Sequence, residues 1–82
     1  MLVRMPPRVT LYTRVGCHLC EEARDTVRAI CDALGQEWVE IDVDTDPDLK
    51  ARHGDEVPVA VVDGETVGFW RIDPDRLRAA LA

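Results

Sequence analysis

Apolar and polar positions change period several times along the chain, and each change marks an element. Val9-Thr10-Leu11-Tyr12-Thr13 is rich in β-formers and only half alternating, which predicts a strand covered on both faces. From His18 to Leu34 the apolar residues Leu19, Ala23, Val27, Ile30 and Leu34 fall four, four, three and four apart, one stripe of an α-helix that Gly35 stops. Trp38 to Val43 alternates again and predicts a second strand with Val39, Ile41 and Val43 on one side. A right-handed crossover through the helix makes these two strands parallel. Asp46 and Pro47 pair a cap with a first-turn proline and open a short helix that runs to His53 and is closed by Gly54. Val57 to Val62 reads as a third strand, and Asp63-Gly64 as the hairpin turn to an antiparallel fourth strand from Thr66 to about Trp70. Asp73-Pro74 repeats the cap-plus-proline device before a last helix with Leu77, Ala80 and Leu81 inward. The order β-α-β-α-β-β-α predicts one α/β domain over residues 9–82, behind a loose leader over residues 1–8, where Pro6-Pro7 excludes helix and paired strand.

Charge narrows the partners. Ten basic against sixteen acidic residues leave a formal net charge of −6, a surface that repels nucleic-acid phosphates instead of displacing their counterions. No apolar run approaches the roughly 20 residues needed to cross a bilayer, and the N-terminus lacks a secretory pattern, so neither nucleic acid nor membrane is expected as a partner and a cytoplasmic location is. No further apolar surface stripe is evident, so a monomer is expected.

Three cysteines leave one over in any disulfide scaffold, whereas two close together and one distant suit a reducing compartment. Cys17 and Cys20 stand three apart at the expected start of the first helix, where unpaired N–H groups and the positive dipole end favour thiolate over thiol. Two thiols so spaced can exchange a disulfide, the first as the exposed attacking group; the alternative is half of a zinc site or a structural pair. His18, Cys31 and His53 are the remaining zinc candidates, but Cys31 lies 11 residues beyond Cys20 on one helix, roughly 16 Å along its axis. Cys31 therefore reads as a semi-buried helix residue and His53 as an ordinary residue of a helix C-terminal end. His18, if protonated, and Arg14 favour the Cys17 thiolate, and Glu21 and Glu22 oppose it. Tyr12 reads as core or sheet edge, and Trp38 as a structural residue. A binding module or metal carrier that uses the same two cysteines is the competing reading.

This order of elements, with C-x-x-C at the first strand-to-helix turn and Val57-Pro58 at the third strand, resembles the thioredoxin fold, a four-stranded mixed sheet with helices on both faces. Leu11 to Cys20, Glu56-Val57-Pro58, and Val62-Asp63-Gly64 followed by Gly68 are similar to the strand, active-site motif, proline element and glycine turn of glutaredoxin-like proteins. The resemblance implies a small thiol–disulfide oxidoreductase acting on protein or low-molecular-weight disulfides, with Cys17 as nucleophile and Cys20 as resolving thiol. It also implies a cis Pro58 facing the cysteines, and substrate binding by Arg14, the Val57 backbone and Gly68. The family commonly holds glutathione with these residues and a second glycine, where this chain has Phe69 and Trp70. No bound cofactor is expected, glutathione is expected to be a poor electron donor, and a reductase is expected to supply electrons. His18, Phe69 and Trp70 then count as modulators of the site.

Overall fold

A computed structural model describes residues 6–82. The elements are β1 (Val9–Thr13), α1 (His18–Leu34), β2 (Trp38–Asp42), a 3-10 turn (Val43–Thr45), α2 (Pro47–His53), β3 (Val59–Val62), β4 (Glu65–Phe69) and α3 (Pro74–Leu81). The sheet runs β2-β1-β3-β4, with β1 parallel to β2 and the pairs β1/β3 and β3/β4 antiparallel. This is the expected mixed four-stranded α/β architecture.

Val9 and Leu11 of β1 and Ala60 and Val62 of β3 present one face of the sheet to α1 and α3, which close over it with Ala23, Val27, Ile30, Cys31, Leu77 and Leu81. The opposite face carries Tyr12, on which His53 of α2 stacks with ring centroids 4.7 Å apart. Helices therefore lie on both faces, but α2 buries none of its residues, so Thr10 and Tyr12 are only partly covered where full burial was expected.

The stripe predicted for α1 needs correcting at both ends. Its buried positions are Cys20, Ala23, Val27, Ile30 and Cys31, while Leu19 is only partly buried and Leu34 is 46% exposed. A 17-residue helix spans about 25 Å and a five-residue strand about 17 Å, so the last turn runs past the sheet that would cover it. Cys31, expected at the edge of the stripe, lies wholly inside the core.

Strand ends also move. β2 stops at Asp42, whose carboxylate accepts the Asp44 N–H at 2.9 Å and whose carbonyl accepts the Thr45 hydroxyl at 2.6 Å, curling Val43 into the 3-10 turn. Val39 is 37% exposed because β2 is an edge strand. β3 begins at Val59, after a cis Val57-Pro58 bond, and β4 runs Glu65–Phe69 with a bulge that leaves Val67 between the pairs Val61/Thr66 and Ala60/Gly68. The hairpin turn has φ 52° at Asp63 and 85° at Gly64, the two positive values of a type I′ turn.

Both cap-plus-proline helices form as expected, Asp46 accepting from the Asp48 N–H at 2.8 Å and Asp73 from the Asp75 N–H at 2.9 Å. Of the leader expected over residues 1–8, residues 1–5 lie outside the described residues, and Pro6 and Pro7 are exposed. Arg8 is tied down: its guanidinium donates to Asp63 at 3.0 and 2.8 Å, and its carbonyl accepts the Asp63 N–H at 2.9 Å.

Candidate active site

At the C-terminal end of β1 the chain turns sharply through Arg14-Val15-Gly16. The Cys17 N–H donates to the Arg14 carbonyl at 3.3 Å and Gly16 takes φ 80°, the position of a type II turn that favours glycine. The turn leaves Val15 86% exposed and delivers Cys17 to the N-cap of α1 with extended backbone. There the Cys17 sulfur accepts the Cys20 N–H at 3.1 Å, the bond a serine or aspartate cap would make to the third helical residue. Charge on Cys17 is thus met by a backbone donor and by the helix dipole.

Cys17 is partly exposed and Cys20 is 1% exposed, so one thiol meets solvent and the other stands behind it. Burial, reinforced by the hydrogen bond and charge of Cys17, pushes the Cys20 thiol up to about 12, against a backbone hydrogen bond from Arg14 and the charge of Arg24. Cys20 therefore stays protonated at neutral pH until a reaction draws its proton away. Cys31 is fully buried in the core, where burial, and then the neighbouring Asp32, raise its pKa. Among the described residues no cluster of three or more His, Cys, Asp and Glu side chains could hold a metal ion.

The remaining predicted site residues distribute unevenly around this pair. The pairing of β1 with β3 ends at Tyr12/Val59, so Val57 and Pro58, joined by the cis bond, come just before the paired part of β3, at the end of β1 from which the cysteine turn departs. Val57 precedes the paired part of β3 and enters neither ladder. His18 is exposed in the first turn of α1. Arg14 points to the other side, where its Nε donates to Asp44 at 3.0 Å and a terminal nitrogen to the Gly54 carbonyl at 3.5 Å; the Asp44 hydrogen bond raises its pKa further. Any substrate carboxylate must compete with Asp44 for it. Gly68 sits inside β4 opposite Ala60, and a Cβ there would make only ordinary contact with Ile72 at 3.6 Å, so the turn expected at this glycine is absent.

The turn comes at Trp70 instead, a non-glycine residue with φ 62°. Its backbone N–H donates to the Glu56 carbonyl and its indole N–H to the Asp55 carbonyl, both at 3.1 Å. Phe69 and Trp70, 47% and 54% exposed, meet edge to face with centroids 5.1 Å apart. With Leu19 and Arg71 they line an open groove of about 480 Å³. Sequence reasoning assigned Leu19 to the core stripe and passed over Arg71; the signal it had was the place of Leu19 between the two cysteines.

A second cluster also escaped the sequence. Glu40 of β2 accepts from Arg24 of α1 at 2.6 and 2.7 Å and from the Thr13 hydroxyl at 2.8 Å, joining three elements beneath the first turns of α1. His53 leaves Nδ1 buried with no hydrogen-bond partner among the described residues while its ring stacks on Tyr12.

Comparison with known proteins adds a family and a set of folds. A family model described as a glutaredoxin-like domain (DUF836) matches residues 8–82. An uncharacterised protein of Mycobacterium tuberculosis is 37% identical over 81 residues, covering 93% of this chain and 84% of the relative. A solved protein of Nitrosomonas europaea superposes with a TM-score of 0.77 at 30% identity over the whole of both chains. A structural genomics target from X. campestris gives 0.73 at 35% identity, covering 89% of this chain and 93% of its own. A glutaredoxin of Archaeoglobus fulgidus, 16% identical with a TM-score of 0.64, covers 92% of this chain and 86% of its own and shares the fold.

Proposed function

Because the chain belongs to the glutaredoxin-like domain family over residues 8–82, we propose that it is a small thiol–disulfide oxidoreductase working through Cys17 and Cys20. The observation that carries this reading is the division of labour between the sulfurs: Cys17 partly exposed at the helix N-cap, 3.1 Å from a backbone donor, and Cys20 buried one turn behind it.

The Cys17 thiolate attacks one sulfur of a substrate disulfide. That S–S bond breaks as the Cys17–substrate bond forms, and the first substrate thiolate leaves and takes a proton from water. Cys20 then loses its proton to solvent and attacks the Cys17 sulfur, which closes the intramolecular disulfide and releases the second substrate thiol. Two electrons pass from the dithiol to the substrate, and the protein is oxidised.

Return to the dithiol needs a thiol reductant. We assign this to a protein dithiol or a flavoprotein reductase over glutathione, because the Arg14 guanidinium already binds Asp44 and the rings of Phe69 and Trp70 share a groove with Leu19, between the two cysteines. A protein cycling in this way belongs in a reducing compartment such as the cytoplasm and acts as a monomer.

The test is turnover of a small disulfide by the wild type and two variants. Cys17→Ser is expected to fall to the uncatalysed rate, and Cys20→Ser to accumulate a mixed disulfide through Cys17, visible by mass. Full activity in Cys17→Ser removes the reading.

A further inference from the structure

The backbone at Trp70 is unusual for its residue type. A bulky side chain at φ 62° is a rare arrangement that lasts only where the surroundings fix it, and here two hydrogen bonds to the carbonyls of Asp55 and Glu56 do so. The ring held in this way is not spent on the core. It stands beside Phe69 facing solvent, and the groove the two rings form reaches Leu19, inside the Cys17–Cys20 motif. At the same groove stands Arg71, exposed and without an ion pair among the described residues, on a chain of net charge −6.

We propose that the groove of Leu19, Phe69, Trp70 and Arg71 is the recognition surface for a protein disulfide that carries a large apolar residue and an acidic residue beside its cysteine. The proposal rests on the dithiol chemistry proposed above and names its substrate class. A fixed aromatic pair loses little freedom when a ligand arrives, so an apolar side chain seated against it contributes most of its buried area to binding. An unpaired guanidinium donates two parallel N–H hydrogen bonds to a carboxylate, while the acidic surface elsewhere repels one, so the acidic residue of the substrate is drawn to one place. Glutathione has no apolar side chain with which to fill the groove.

The probes are symmetric disulfides of short synthetic peptides with Cys-Phe-Glu, Cys-Gly-Glu or Cys-Phe-Lys at the centre, together with glutathione disulfide and hydroxyethyl disulfide. The rate at which each oxidises the reduced protein is read by thiol trapping. The Phe-Glu peptide is expected to react at least about tenfold faster than either other peptide and than glutathione disulfide, a difference of about 1.4 kcal/mol in barrier. Within each variant the ratio of Phe-Glu to Gly-Glu rates is expected to collapse toward one in Trp70→Gly, where glycine accommodates the left-handed backbone. Arg71→Glu is expected to invert the preference between Phe-Glu and Phe-Lys. Equal rates for all peptides, ratios unchanged in both variants, or glutathione disulfide matching the Phe-Glu peptide would overturn the proposal. Failure of hydroxyethyl disulfide to oxidise the wild type strikes the redox reading alone. Recognition is then read from binding of a Ser-Phe-Glu peptide: saturable shifts of the Leu19 and Trp70 indole NMR signals sustain it, and their absence rejects it.

Discussion

Gly54 is held to glycine by a neighbour. It follows α2 with an ordinary helical φ of −55°, not the left-handed turn of a helix stop, and a Cβ there would stand 2.5 Å from the Lys50 carbonyl oxygen. Because that atom is backbone, the helix end itself must shift. Gly54→Ala is expected to cost about 1–3 kcal/mol, outweighing the roughly 0.4–1 kcal/mol that alanine gains by stiffening the unfolded chain. Urea denaturation reads the difference, and a variant as stable as the wild type would show that the helix end yields freely. The same residue shows what a sequence conceals. Gly54 was legible as the end of a helix, but the reason for glycine lies in an approach that appears only when the turn is closed. Arg14 is similar: its place before the cysteines was plain, while its engagement by Asp44 depends on how the 3-10 turn folds back.

At the scale of elements, Glu40 ties β2 to α1 through Arg24 and to β1 through Thr13. Thr13 is buried, so removing its acceptor leaves a hydroxyl without a partner and a guanidinium without its counter-charge. Glu40→Ala is expected to cost about 2 kcal/mol, and Glu40→Gln about half of that. The Arg24 hydrogen bond holds Glu40 below its ordinary pKa of 4.5, with burial acting in the opposite direction and the Thr13 hydrogen bond adding to the lowering. A lowered folded value means that the carboxylate stabilises fully above the unfolded value and that this is lost as pH falls through the folded one. The stability gap between wild type and Glu40→Gln is therefore expected to narrow as pH falls from neutral into the acid range below the ordinary 4.5; a gap that stays constant contradicts it. The main run of elements was legible because α1 has a clean period and α2 and α3 each announce themselves with aspartate before proline. The β4 bulge, the early end of β2 and the partnership of Glu40 were not, because each is decided by a neighbouring strand or helix. The groove falls in the same class: Leu19 sits at the flank of the predicted stripe, and only the return of β4 shows that Phe69, Trp70 and Arg71 meet it.

For the molecule as a whole, Cys20 and Cys31 both have pKa values raised above the ordinary 9.0, chiefly by burial. The folded state keeps protons that the unfolded state releases, so their stabilisation is complete below about pH 9 and is lost as pH rises through and above it. Each thiol contributes a slope of up to about 1.4 kcal/mol per pH unit. Denaturation series around and above pH 9 in wild type and Cys31→Ala should differ in slope, the variant losing stability less steeply; parallel curves would show that Cys31 titrates alike in both states. The account of function rests on Cys17 and Cys20 alone forming a bond that opens and closes. The direct measurement equilibrates the folded protein in thiol–disulfide buffers of graded potential and maps the linked cysteines by peptide mass. One reversible two-electron transition is predicted, joining Cys17 to Cys20 with Cys31 still a thiol. No link under any oxidising buffer, or a link that takes in Cys31, would contradict the account.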